Sequence, residues 1–166
     1  MRNILVRGTI KVLIVDDSST IRAMLVRLLE QHLDFEIIGV AASADQAKAM
    51  IDVEEPDVIT LDHEMPGKTG LAFLAEMMAD QPQRVVMLSS HMAQDSSFRD
   101  KAMALGAKGC FDKAAVVRDA ARFMQLLRRA AKRPATSLAA DIQALHSFGL
   151  LNTQPSADRV LKQAFA

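Results

Sequence analysis

Short uninterrupted apolar runs, each halted by polar residues, alternate along this chain with stretches whose apolar positions recur three and four apart. Lys11-Val12-Leu13-Ile14-Val15 is the first run and stops at Asp16-Asp17. Residues 35–40 form a second run, and Asp57-Val58-Ile59-Thr60-Leu61 a third, ending at Asp62 and then Pro66. Arg84-Val85-Val86-Met87-Leu88 leads to Ser89-Ser90-His91, and the short Gly109-Cys110-Phe111 leads to Asp112-Lys113. Continuous β-branched runs without polar alternation predict strands buried on both faces. Between them, Ile21, Met24, Leu25, Leu28 and Leu29 fall at helical spacing, with Ser18 or Ser19 as cap. Residues 43–51 predict a second helix with Ala47, Met50 and Ile51 inward, and Leu71, Leu74, Met77 and Met78 begin a third. Residues 98–105 are more weakly patterned, with Gly106 as the C-terminal stop. Val116, Val117, Ala120, Phe123, Met124 and Leu127 predict one face of a long fifth helix.

Five such strand–helix alternations with short connections predict a parallel α/β sheet with right-handed crossovers. Pro134 closes the fifth helix, and residues 132–137 read as a linker. Beyond it, Leu138, Ile142 and Leu145 keep helical spacing, but 138–166 is too small to hold a core of its own.

Composition narrows the function classes. At 166 residues, half of them hydrophobic and 24% charged, the balance is globular. Twenty Lys and Arg offset twenty Asp and Glu, so no basic footprint for nucleic acid is expected, and no DNA reader follows residue 131. Cys110 is the single cysteine, which excludes an internal disulfide and a thiolate zinc cluster, and a small buried strand residue is expected there. No run approaches a membrane span or a signal peptide's apolar region, so a cytoplasmic protein is expected.

The candidate chemistry lies at the strand ends. In an open parallel sheet, ligands bind outside the carboxyl ends of the strands. Those ends carry Asp16 and Asp17, Asp62, Ser89 and Lys113. Three carboxylates crowded together repel unless positive charge joins them, and Mg²⁺ with Lys113 would balance the set. Asp62 then stands as a nucleophile toward phosphorus, with Asp16 and Asp17 holding the metal and Lys113 facing the phosphoryl oxygens. The Ser89 hydroxyl would donate to the new group and report its presence. Reversing a two-state equilibrium from 1:99 to 99:1 takes about 5.5 kcal/mol. One charge-assisted contact supplies ~1.5–3 kcal/mol, so Ser89 and Lys113 are expected to act together. His63, next to Asp62 on a strand end, is expected to face away from the site.

Val15-Asp16-Asp17-Ser18, Leu61-Asp62-His63-Glu64-Met65-Pro66, Ser89-Ser90 and Phe111-Asp112-Lys113 together resemble the receiver (response-regulator) family of two-component signalling. Around Asp62 and Ser89-Ser90 the wording is similar to the receiver of chemotaxis methylesterases and to single-domain chemotaxis receivers. The resemblance implies that Asp62 is the phosphoacceptor, that Asp16 and Asp17 are the metal pair, and that Glu64 offers its backbone carbonyl to Mg²⁺. Ser89 would be the switch hydroxyl and Lys113 the phosphate partner. Side chains at the Glu64 and His91 positions tune phosphoryl lifetime in the family, against simple loop exposure as the plainer expectation. The chain departs from the family pattern where Ala114 follows the lysine in place of proline, where Cys110 replaces the switch aromatic, and at Thr69 before Gly70.

The expected fold is therefore a doubly wound, flavodoxin-like (βα)5 sheet of order 2-1-3-4-5 over residues 10–131, followed by a short helical extension. The expected function is a signalling switch, not an enzyme, phosphorylated on Asp62 by a histidine kinase or histidine phosphotransfer protein and read by a downstream protein. Dimerisation through the fourth and fifth helices or through the extension is a further expectation. The alternative is a phosphohydrolase with an aspartyl-phosphate intermediate, in which Glu64 would be the general acid. Residues 142–158 resemble the lead-in helix of GAF sensory domains, which allows a longer receiver–GAF protein.

Overall fold

The computed structural model describes residues 8–131, so the expected linker and helical extension lie outside the described residues. Five strands, β1 (Ile10–Val15), β2 (Phe35–Ala41), β3 (Val58–Asp62), β4 (Val85–Ser89) and β5 (Gly109–Asp112), form one parallel sheet of order β2-β1-β3-β4-β5. The helices between and after them are α1 (Ser19–Glu30), α2 (Ala44–Glu54), α3 (Gly70–Asp80), α4 (Ser96–Ala104) and α5 (Ala120–Ala130). The order reverses between β1 and β3, which is where a doubly wound sheet opens a crevice.

Every position of β3 and β4 is buried, as their continuous apolar runs require. One sheet face (Leu13, Val15, Ile59, Leu61, Val85, Met87, Cys110) packs against α2, α3 and α4 through Ala47, Ile51, Phe73, Leu74, Met77, Phe98 and Ala102. The other (Val12, Ile14, Val58, Val86, Leu88) packs against α1 and α5 through Leu25, Leu29, Phe123, Met124 and Leu127. Cys110 and Phe111 fall on opposite faces, as strand alternation predicts.

Side-chain caps set most helix starts: Ser18, Ser43, Thr69 and Asp95 each accept from a backbone N–H in the first turn. Thr69 is thus a capping residue, and Gly106 ends α4 with a φ of +108°, where a side chain would be strained. One expectation is corrected. The fifth helix is shorter than its apolar pattern implied, because Lys113–Ala115 form a 3₁₀ turn and α5 starts only at Ala120. Val117 falls in the intervening turn and is 61% exposed, whereas Val116 beside it is fully buried. In α3 the expected Leu71, Leu74, Met77 and Met78 all pack on the core, joined by the buried Phe73, which the pattern did not include.

Candidate functional site

Four strand ends converge on one pocket. Asp16 follows β1, Asp62 ends β3, Ser89 ends β4 and Lys113 follows β5. Asp16 and Asp62 are fully buried and Ser89 is 2% exposed, whereas Asp17 is exposed at the rim. Single carboxylate oxygens of Asp16, Asp17 and Asp62 lie within 4.8 Å of one another. The Lys113 ammonium bridges two of them, with Nζ 2.8 Å from Asp16 Oδ2 and 2.7 Å from Asp62 Oδ1.

Local structure holds each group. The Ser18 N–H donates to Asp16 Oδ1 at 2.9 Å, and the Arg22 guanidinium donates to the Asp16 carbonyl at 2.8 Å. The Glu64 N–H donates to Asp62 Oδ1 at 2.9 Å. Gly70 closes the loop below: its N–H donates to the His63 carbonyl, and a Cβ there would stand 2.2 Å from the Asp62 carbonyl oxygen. Ala114, which replaces the family's proline, uses the N–H that proline lacks, donating to Asp112 Oδ1 at 2.8 Å to start the 3₁₀ turn. The described residues contain no cis peptide bond.

Three carboxylates against one ammonium leave the pocket electronegative. Burial, with the negative Asp16 adding to it, pushes the Asp62 carboxyl up to about 7 against the pull of Lys113. For Lys113, burial alone would lower the ammonium's value, but Asp16 and Asp62 outweigh it and hold the value above the ordinary one. Asp62 Oδ2 is buried with no hydrogen-bond partner. Asp16 Oδ2 has the ammonium as charge partner but makes no aligned hydrogen bond. Two oxygens without aligned donors, in an oxygen-only cluster with excess negative charge, fit a hard divalent cation such as Mg²⁺.

The second half of the site lies on the loops after β3 and β4. The Ser89 hydroxyl donates to Glu64 Oε1 at 2.7 Å, and the Ser90 N–H reaches both Glu64 carboxylate oxygens at 3.3 and 3.4 Å. The His91 N–H donates to Ser89 Oγ at 3.2 Å, while its side chain is exposed. Burial would raise the Glu64 carboxyl, but the Ser89 hydroxyl and the Ser90 N–H, with the Lys113 charge nearby, hold it below the ordinary range. Glu64 is therefore an engaged acceptor and not a free loop side chain. The sequence carried no sign of this pairing beyond the short offset of Glu64 from Asp62. His63 turns away from the carboxylates and packs on Phe98 with ring centroids 4.4 Å apart. Cys110 is buried and its thiol raised by that burial, as a small core residue would be.

A doubly wound sheet with buried acids, a hydroxyl and an amine at its switch point defines the receiver class of signalling domain. Residues 12–132 match the response regulator receiver domain, and the chain belongs to that family. It is 38% identical over 143 residues to a protein-glutamate methylesterase/protein-glutamine glutaminase of Methylobacillus flagellatus, covering 79% of this chain and 40% of that protein. A protein of the same description from Shewanella sp. strain MR-7 is 46% identical over 99 residues, covering 60% of this chain and 28% of the relative. The chain thus spans less than half the length of these relatives. Among solved structures, the response regulator domain of Thermotoga maritima CheB superposes with a TM-score of 0.70 at 29% identity, covering 76% of this chain and 98% of that one. The signal receiver domain of NarL from Mycobacterium tuberculosis gives 0.66 at 26%, covering 75% and 98%. Receiver domains take phosphoryl groups from histidine kinases or phosphotransfer proteins and generally bind Mg²⁺ at an acidic pocket. Among the described residues no helix is long and apolar enough to cross a membrane.

Proposed function

We propose that Asp62 accepts the phosphoryl group and that this chain works as a cytoplasmic protein-binding switch. The observation that carries the assignment is the state of the two Asp62 oxygens. Oδ1 is held by Lys113 and the Glu64 N–H, while Oδ2 has no partner and is the lone pair available for attack. In the transfer, Oδ2 forms the new bond to phosphorus as the phosphorus–nitrogen bond of the donor phosphohistidine breaks and its electron pair returns to the imidazole. Asp16, Asp17, Asp62 and the Glu64 carbonyl would hold the metal. A bound Mg²⁺ supplies positive charge against the phosphoryl oxygens in transit. Lys113 supplies the fixed charge from the protein and then faces the phosphoryl group.

Glu64 argues against the phosphohydrolase. A general acid must hold a proton at working pH, and the Glu64 carboxyl is depressed and already accepts hydrogen bonds from Ser89 and Ser90. The methylesterase activity in the relatives' names is not assigned to residues 8–131, whose part is the switch.

Incubation with Mg²⁺ and a small acyl phosphate, followed by intact mass, tests the acceptor. The wild type should gain one phosphoryl group and Asp62→Asn none. Equal gain in both proteins, or none in either, would overturn the assignment.

A further inference from the structure

The Ser89 hydroxyl has one proton, and in this structure it is already given away. It is donated to Glu64 Oε1 at 2.7 Å, with Ser89 buried and Glu64 partly buried. A serine hydroxyl makes one donor bond at a time. Donation to Glu64 and donation to a phosphoryl group on Asp62 therefore exclude each other. The same carboxylate receives the Ser90 N–H, and the His91 N–H is tied to Ser89 Oγ. Glu64 thereby clasps the start of the loop between β4 and α4 to the loop after β3.

The geometry points to Glu64 as a latch: its carboxylate competes with the phosphoryl group for the Ser89 proton and holds the unmodified chain in its resting arrangement. This rests on Asp62 being the acceptor and goes beyond it. The role differs from setting phosphoryl lifetime, because the latch acts before any phosphoryl group is present. Once Asp62 is modified, its new negative charge repels Glu64 while offering Ser89 a second anionic acceptor. The exchange swaps one charge-assisted bond for another, and the Ser90 N–H is released with it. Glu64 is thus a positioning residue acting through Ser89. Its contribution should be visible in the free protein and should vanish without the serine hydroxyl.

The test uses the full chain with Mg²⁺ and beryllofluoride as the phosphoryl mimic, in a cycle of wild type, Glu64→Ala, Ser89→Ala and the double variant. Releasing the latch should tighten beryllofluoride binding about tenfold in Glu64→Ala, or about 1.4 kcal/mol, and leave it unchanged when Ser89 is already alanine. Glu64→Gln keeps an acceptor oxygen for Ser89 but loses the charge, so its affinity should fall between the two. In the free protein, the Ser90 amide proton should move upfield and exchange faster in Glu64→Ala than in wild type. Equal tightening with and without Ser89 would make Glu64 a source of charge repulsion only and would overturn the latch. Unchanged binding, or an unchanged Ser90 amide, would overturn it as well. Failure of the wild type itself to bind beryllofluoride would sink the acceptor reading and the latch together, whereas binding without coupling would sink the latch alone.

Discussion

Asp62 carries the cost of its surroundings. Its carboxyl is raised to about 7 in the fold, whereas an unfolded chain would release the proton near the ordinary 3.8. Between those values the folded state binds more protons than the unfolded one. This group's contribution is therefore present at low pH and is lost as pH rises through about 7 when no divalent cation is bound. Asp62→Asn should remove that slope and stabilise the metal-free chain at pH 8 by on the order of 1–2 kcal/mol, read from urea melts at pH 5 and 8. A steeper slope in the variant would contradict the crowding argument. Gly70 is the second sensitive residue. Gly70→Ala drives a methyl to 2.2 Å from backbone oxygen and 2.8 Å from the His63 Cα, neither of which can swing aside. It should cost about 1–3 kcal/mol by thermal melt and displace Asp62. At this scale the sequence was legible wherever a residue's place follows from a strand's end. Asp16, Asp62, Ser89 and Lys113 were readable for that reason. The Glu64–Ser89 bond was not, because it depends on a rotamer in a loop that no periodicity constrains.

Elements were easiest to read where burial is two-sided. The runs that became β1, β3 and β4 carry no polar alternation, and a parallel sheet covered on both faces demands that. Val116 and Val117 misled because adjacent β-branched residues fit the start of a helical stripe as well as a turn. Asp119, a residue type favoured at helix starts, was the only nearby signal for the true beginning of α5. Phe73 escaped because Leu71, Leu74, Met77 and Met78 already completed a regular stripe without it. The elements are also joined by an ion pair that sequence alone could not locate. Arg128 of α5 donates to both Asp34 oxygens at 2.6 and 3.2 Å and stands 5.2 Å from the Phe35 ring centroid, tying α5 to the start of β2. Burial opposes ionisation of Asp34, but Arg128 prevails and lowers its carboxyl below the ordinary 3.8. That contribution is present above 3.8 and lost as pH falls through the lower folded value. Asp34→Asn should cost about 1 kcal/mol at pH 7, with the gap from wild type closing in acid, as a pH series of denaturant midpoints would report.

At the scale of the whole molecule, the fold gathers Asp16, Asp62 and Lys113 from the ends of β1, β3 and β5 into one buried pocket between two apolar layers. Such a pocket couples ion binding to folding. Mg²⁺ should raise the unfolding midpoint and release protons at pH 7, since the ion and the Asp62 proton compete for one site. At ten times its dissociation constant the stabilisation should be about 1.4 kcal/mol, and Asp62→Asn should lose most of it. Calorimetry in two buffers of different ionisation enthalpy would expose the proton count. At the sheet's edge, β5 is flanked by Arg99, Lys108, Arg122 and Arg129, which line a groove of about 420 Å³. Clustered cations of this kind discourage strand addition by another chain.

Lys113 follows β5, the last of the five described strands, while the acids it neutralises follow β1 and end β3. A nascent chain that has emerged only as far as β4 holds its repelling carboxylates without the ammonium that bridges them. Docking of the final strand then supplies a missing edge and discharges the pocket in one event. Partial chains ending before Lys113 should therefore be both loosely folded and incapable of accepting a phosphoryl group, so that competence arrives on the ribosome all at once.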